Sequence, residues 1–363
     1  MTPAAKPLAG IRIVEFDAIG PVPLAAMLLA DLGAELIRIA RPPASDAWDD
    51  VGGAVLHRGR DYVALDLKAR EGQQAALALV ARADALIEGF RPGTMERLGL
   101  GPEPCIQANP SLVYTRVTGW GQSGPLAQRA GHDINYIALT GALRAMGKPH
   151  EPPPVPLNYV GDYAGGTMFA LAGLMAALFQ ARSIGIGQVI DVAMTDSVAA
   201  LSGLFYGFRA SGLWRDQRAA NLLDGSAPYY RCYGCADGEY VAVGALEPQF
   251  FALLLDGLGI SREDFVQTDP ACWPRMEEVF KRIFASKPRD YWGRLFADTD
   301  ACVAPVLSFG EAAEHPHNVA RGSIVRRDGV VQPAPAPRFS AMPLDIGERP
   351  AEVEAEEALA RWN

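Results

Sequence analysis

The chain has 363 residues, more than one ordinary compact domain, so a larger and a smaller domain are expected. Its formal net charge is −9 and 49% of it is apolar, which argues against nucleic acid or an anionic membrane as a partner and leaves ample material for cores. An anionic small ligand would then need its own local basic groups.

The N-terminus, MTPAAKPLAGIRIVEF, has no long apolar signal core, and the end, ALARWN, carries no peroxisomal tripeptide. The longest apolar run, Thr167 to Phe179, is shorter than the ~20 residues of a membrane span. These features give the expectation of a soluble, cytoplasmic protein with no membrane partner. The five cysteines, Cys105, Cys232, Cys235, Cys272 and Cys302, are sparse and odd in number, which suits a reducing compartment. Cys232 and Cys235 form one CxxC without a second pair or nearby histidines at ligand spacing, so buried thiols are expected and no metal site is assigned.

In chain order, IRIVEF reads as a strand, AIGPVP as a turn, LAAMLLADLG as a helix closed by Gly33, and Glu35 to Ala40 as the next strand. Strand YVALDL, helix REGQQAALALVARA, strand DALIEGF and strand SLVYTRVTG continue the alternation. The pattern predicts an α/β fold with a mainly parallel, Rossmann-like sheet covered by helices on both faces. The first turn lacks GxGxxG, and Arg41 stands where a ribose-binding acid would end the second strand, so no dinucleotide site is expected. An arginine there would suit a phosphorylated ribose.

After Asp162 two helical segments are expected, YAGGTMFALAGLMAALFQARS and DVAMTDSVAALSGLFYGFRA. Composition then shifts to turn-rich hairpin sequence, which opens a smaller α+β region from Ser226 to Ser308. The proline-rich VQPAPAPRFSAMP reads as an extended tail. IALTGALRAMG and Met194 to Phe208 hold apolar residues that suit either an acyl surface or core.

Three acid–base candidates stand out. His132, in GHD, lies between a Gly/Pro-rich loop and an apolar helical pattern; it is either solvated beside a helix cap or a proton carrier. Asp162, in NYVGDYAGG, reads as the N-cap of the apolar helix or as a catalytic carboxylate. Glu247, in ALEPQF, precedes a proline at an ordinary helix start. Arg38, Arg41, Arg58, Arg60, Arg91 and Arg97 fall near the ends of the early strands. Parallel sheets bind ligands at that edge, so these arginines lean towards a polyphosphate ligand, the alternative being solvated surface charge.

Taken in order, LAGIRIVEF, LADLGAELIRI, YVALDLK, LIEGFRPGTMERLGLGP, VTGWGQSGP, AGHDINYIALTGAL, PLNYVGDYAGG, GQVIDVAMTDS, APYYRCY, GEYVAVGALEPQF and APRFS resemble the α-methylacyl-CoA racemases of the family III CoA-transferase superfamily. The resemblance covers essentially the whole chain. It implies a large Rossmann-like CoA-binding domain of residues 1–190 and 325–363, linker helices 191–225, a small α+β domain 226–308 and a return linker 309–324. It also implies an interlocked homodimer. The implied reaction inverts C2 of a 2-methylacyl-CoA through an enolate, without a cofactor, coenzyme A being part of the substrate. The family's histidine role falls on His132, its aspartate on Asp162, and a glutamate paired with the histidine on Glu247, in the same or the other subunit. Asp133, Asn158 and Gly161 would support them. Coenzyme A contacts carry over to Arg41, Leu65, Asp66, Leu67, Lys68, Gly89, Phe90, Arg91, Arg97, Gly131, Ile134, Asn135 and Tyr136.

The chemistry suits these residue types. The C–H beside a thioester is a weak acid, so two positioned proton carriers and hydrogen-bond donors for the enolate are needed, each carrier contributing ~10² to 10⁴ in rate. A CoA transferase of the same superfamily would use the equivalent of Asp162 as a nucleophile. It needs no base on the opposite face, and typically has an apolar aromatic where this chain has His132. A non-catalytic CoA-binding protein would need neither group.

Overall fold

The computed structural model describes residues 6–42 and 52–362. The chain forms two compact units. The first comprises Met1–Thr140, Val155–Gly203 and Val319–Asn363; the second comprises Gly141–Pro154 and Leu204–Asn318.

The first unit is built on six parallel strands, β1 (Arg12–Phe16), β2 (Glu35–Ala40), β3 (Asp61–Ala64), β4 (Ala85–Glu88), β5 (Val113–Thr118) and β6 (Val189–Ala193), in the order β3-β2-β1-β4-β5-β6. Both faces are buried because successive side chains alternate. Ile13 packs with Leu29, Val113 and Leu174 on one face; Val14 and Phe16 pack with Ile39, Leu86 and Tyr114 on the other. The α/β Rossmann-like expectation holds. The strand order reverses between β1 and β4, which opens a crevice at the carboxyl ends of those strands.

Two element assignments change. Residues 191–193 do not open a helix. They end β6, which pairs Val189 to Ala193 with Tyr114 to Thr118 of β5, and the helix begins at Met194. Val189, Ile190 and Val192 fit a pleated edge, and the Met168–Ile184 helix before them supplies the crossover. Nor does the first helical segment begin after Asp162. The segment YVGDYAGGT forms a π-helix, Tyr159–Thr167, that runs straight into Met168–Ile184.

Together these make 26 residues, long and apolar enough to cross a membrane by length and composition, unlike the shorter run read from the sequence. One face of it packs in the first unit's core: Thr167 Oγ1 donates to the Pro21 carbonyl at 2.8 Å, and Ala170, Leu174, Ala177 and Leu178 are buried there.

The C-terminal residues complete this unit. Tyr62 of β3 bridges in parallel to Glu352, and Val353, Ala358 and Trp362 are buried in the core. The second unit has its own core, around β7 (Tyr230–Gly234), β8 (Tyr240–Gly244) and β9 (Val303–Pro305), all antiparallel, with Tyr233 stacked on Phe284 at 5.0 Å. Of the CxxC pair expected to be buried thiols, Cys235 is buried but Cys232 is exposed.

The strand-end arginines divide sharply. Arg38, Arg58 and Arg60 are not ligand groups but buried pillars. Arg58 is forked on Asp31 at 2.6 Å and also donates to Gln332 Oε1 and the Pro333 carbonyl, which ties the hairpin of β10 (Ile324–Arg327) and β11 (Val330–Pro333) to the end of the Pro21–Asp31 helix. Arg60 pairs with Glu15 at 3.2 Å and donates to the Pro23 carbonyl. Arg38 pairs with Asp17 and lies over the Tyr62 ring. A buried arginine without such partners would carry a prohibitive desolvation cost.

His57 sits between two of these cations, with Arg60 2.7 Å from Nδ1 and Arg38 3.1 Å from Nε2. Burial, then the two guanidiniums, lower its pKa to about 3. Burial acts oppositely on the acid Glu15, raising it to about 7 against the pull of Arg60 and Arg38. The unfolded chain therefore takes up a proton at His57 near pH 6.5 while the folded chain does not. The stability this neutral histidine contributes is complete above pH 6.5 and is lost towards pH 3. Glu15 works in the reverse sense between about pH 7 and 4.5, so the two largely offset one another. We expect His57→Asn to be less stable than wild type at pH 7, with the gap closing by roughly 1 kcal/mol per pH unit below pH 6.5. Urea denaturation at pH 7 and pH 5 checks this, and an equal gap at both values would refute it.

Candidate active site

The crevice at the switch point is a cleft of about 280 Å³. Each wall follows a strand: Ile19, Gly20 and Pro21 after β1; Gly89, Phe90, Arg91 and Pro92 after β4; Val117 to Trp120 at the end of β5; Met194 after β6. Residues Ala127 and Arg129 to His132, with Tyr136, close it, and Asp162 lies within it.

His132 is the N-cap residue of the Asp133–Leu139 helix, with extended backbone. Its own N–H donates to Asn135 Oδ1 at 3.1 Å, and its carbonyl accepts the Asn135 N–H at 2.8 Å. The capping side chain is thus Asn135, and the exposed imidazole of His132 faces the cleft. The next residue, Asp133, is buried at 5% exposure.

Asp133 decides the fate of Asp162. In a π-helix the first bond runs five residues, here from the Tyr163 N–H to the Asn158 carbonyl at 3.2 Å, so the N–H groups before it need other acceptors. Asp133 Oδ2 accepts from Gly161 N–H at 2.6 Å and from Asp162 N–H at 2.7 Å. Gly161 permits this approach, since a Cβ there would stand 2.7 Å from the same oxygen. Asp162 is consequently not an N-cap. It is the fourth residue of the helix, and its carboxylate is left to the cleft.

That carboxylate is half-buried and accepts one bond, from Asn158 Nδ2 at 3.2 Å. Burial raises its pKa; Asn158 opposes the rise, the Asp133 charge adds to it and His132 lowers it. Gly20, at φ 75°, ends the loop after β1 beside it, and a Cβ at that position would lie 3.0 Å from Asp162 Oδ2. Tyr136 packs edge-on against Trp120 at 4.9 Å and donates its hydroxyl to the Gly131 carbonyl. Burial pushes its phenol up to about 12, so it stays neutral.

The structure therefore brings together His132, Asp133, Asn158, Gly161 and Asp162, with Gly89, Phe90, Arg91, Gly131 and Tyr136 on the walls. Arg41 lies exposed just past β2, and Leu65, Asp66, Leu67 and Lys68 follow β3, on the same edge of the sheet but outside the cleft lining. Arg97, exposed, donates to Thr94 Oγ1; Ile134 is also exposed. Glu247 belongs to the second unit, where it is the exposed N-cap residue of the Pro248–Leu258 helix. Sequence reasoning missed Gly20, Trp120 and Arg129. The Gly-Pro of AIGPVP and the basic residue three before His132 were the available signals.

A parallel Rossmann-like sheet, without a phosphate fingerprint but with an acid–base cleft at its switch point, defines a class of small-molecule enzyme folds. Residues 8–357 match the family model described as CoA-transferase family III, and the chain belongs to that family. It is 44% identical to the α-methylacyl-CoA racemase of Mus musculus over 95% of this chain and 92% of that protein. It is 42% identical to that of Homo sapiens over 98% and 94%. The crystal structure of a CAIB/BAIF family protein from Brucella suis superposes with a TM-score of 0.78 at 25% identity, covering 98% of each chain.

Replacing Asp133 by Asn removes a charge that adds to the rise burial gives the pKa of Asp162. We expect the Asp162 carboxylate to titrate lower in Asp133→Asn, by carbon-13 NMR of labelled aspartate. An unchanged or higher value would contradict the arrangement.

Proposed function

We propose that this chain is an α-methylacyl-CoA racemase, inverting C2 of 2-methylacyl-CoA thioesters by proton transfer. The observation that carries the reading is the placement of His132 and Asp162 in one cleft. One removes the C2 proton and the other returns a proton on the opposite face, so the two exchange roles with the direction of reaction. Burial makes Asp162 a stronger base than a solvated aspartate, and an imidazole at His132 can both accept and donate a proton. The N–H groups of Gly161 and Asp162 are taken by Asp133, which leaves the start of the Asp133–Leu139 helix, beside His132, to hold the enolate oxygen. No cofactor enters this chemistry.

Coenzyme A lies along the carboxyl edge of the sheet in this reading, with Arg91 at the cleft and Arg41, Lys68 and Arg97 exposed for phosphates. The enzyme works as a homodimer in which Glu247 orients His132, in the same or the other subunit. Met168, Met175, Phe179 and Ile184 leave an exposed apolar row on their helix, which a second copy would cover.

The same fold and aspartate serve CoA transfer, with Asp162 attacking the thioester carbonyl. That reaction has no use for His132 at C2.

The test is incubation with one 2-methylacyl-CoA epimer in deuterated water, without an acceptor acid. Deuterium entry at C2 together with epimerisation is expected, falling ~10² to 10⁴-fold in His132→Ala and in Asp162→Ala. No exchange, with CoA transfer once a carboxylic acid is added, would replace the racemase reading by a transferase.

A further inference from the structure

The wall formed by Gly89, Phe90, Arg91 and Pro92 leaves the sheet at the end of β4 and re-enters regular structure at the short helix Thr94–Arg97. A carboxylate stands at each end of it: Glu88 is the last residue of β4, and Glu96 lies in the short helix. A single guanidinium joins them. Arg116, opposite Glu88 in the β4–β5 register, donates from Nε to Glu88 Oε1 at 2.9 Å and from both terminal nitrogens to Glu96, at 2.8 and 3.2 Å. The other oxygen of Glu88 accepts the Phe90 N–H at 2.7 Å. Arg116 is 6% exposed and Glu88 fully buried, whereas the Glu96 side chain is 45% exposed.

We infer that Arg116 is a positioning residue that staples both ends of the Gly89–Met95 segment and so fixes Phe90 and Arg91 for the coenzyme A moiety. The inference rests on the proposed acyl-CoA reading of this cleft. Arg116 lies outside the cleft lining and acts through the backbone of the wall. A wall held at both ends need not be ordered when the ligand arrives, and a loosened one lowers the fraction of molecules competent to bind. Gln128 supports the same segment from the other side, donating from Nε2 to the Pro92 carbonyl at 3.2 Å.

The opposing effect has the opposite sign, which makes the test decisive. Removing the negative charge of Glu96 near a polyanionic ligand should by itself tighten binding. Loosening the staple should weaken it. We would measure the dissociation constant of coenzyme A by calorimetry, and KM and kcat with a 2-methylacyl-CoA, for wild type, Glu96→Ala, Glu96→Gln and Arg116→Lys. Glu96→Ala changes a half-exposed side chain, so its melting temperature should stay near that of wild type. The expected result is a dissociation constant and KM raised about fivefold in Glu96→Ala, corresponding to a competent fraction of about one fifth, with kcat within about twofold. Glu96→Gln, which keeps an acceptor for Arg116, should bind as wild type or tighter. Arg116→Lys, which cannot fork, should resemble Glu96→Ala. Unchanged or tighter binding in Glu96→Ala would overturn the inference, as would a loss confined to kcat. Failure of the wild type to bind coenzyme A would instead overturn the acyl-CoA reading itself.

Discussion

One carboxylate oxygen, Asp133 Oδ2, takes the N–H groups of both Gly161 and Asp162, and the geometry of the cleft depends on it. The bond fixes the start of the π-helix to the first turn of the helix that follows His132. His132 and Asp162, on separate segments, are thereby tied together through the adjacent residues 132 and 133. The arrangement places two carboxylates near each other in a partly dry setting. Without the two backbone donors such a pair would repel; with them, the Asp133 charge only adds to the rise that burial gives the pKa of Asp162. Structure and reactivity at this point come from the same contact.

The arginines of the sheet show a second use of buried charge. Arg58, Arg60 and Arg116 are each matched to carboxylates and each reaches segments distant in sequence. Arg116 holds the segment after β4, at the carboxyl edge where the exposed Arg91 sits, whereas Arg58 joins the end of the Pro21–Asp31 helix to the approach to β3 at the opposite edge. Buried pairs of this kind add little net stability, but breaking one leaves an uncompensated charge, so they specify a geometry strongly.

Much of this was legible in the residues. Alternating strand and helix periods gave the parallel sheet, and the missing GxGxxG removed the dinucleotide reading. The site motifs GHDINY and VGDYAGG fell where the cleft is. The misreadings have physical causes. Asp162 resembles an N-cap because Asp before a glycine-rich apolar run is what a cap looks like, and the true acceptor, Asp133, is 29 residues away. The segment VIDVA carries an apolar pattern too short to separate strand from helix; the free edge of β5 decides it. The arginines at strand ends look alike in sequence, since nothing local says that Asp31 will meet Arg58 or Glu88 will meet Arg116.

The discontinuity of the first unit bears on the order in which the protein matures. During synthesis the second unit's main stretch, Leu204–Asn318, leaves the ribosome whole while the sheet of the first unit still lacks its last partners. Arg58 waits for Gln332, Tyr62 for Glu352, and the core for Trp362. Contacts across such sequence separations form slowly, because the intervening chain must first be closed into a loop. The polypeptide thus emerges with an early compact body interrupting a late one: the residues that line the crevice, Ile19 to Met194, are made first, but the core of the same unit is completed only when Val353, Ala358 and Trp362 arrive.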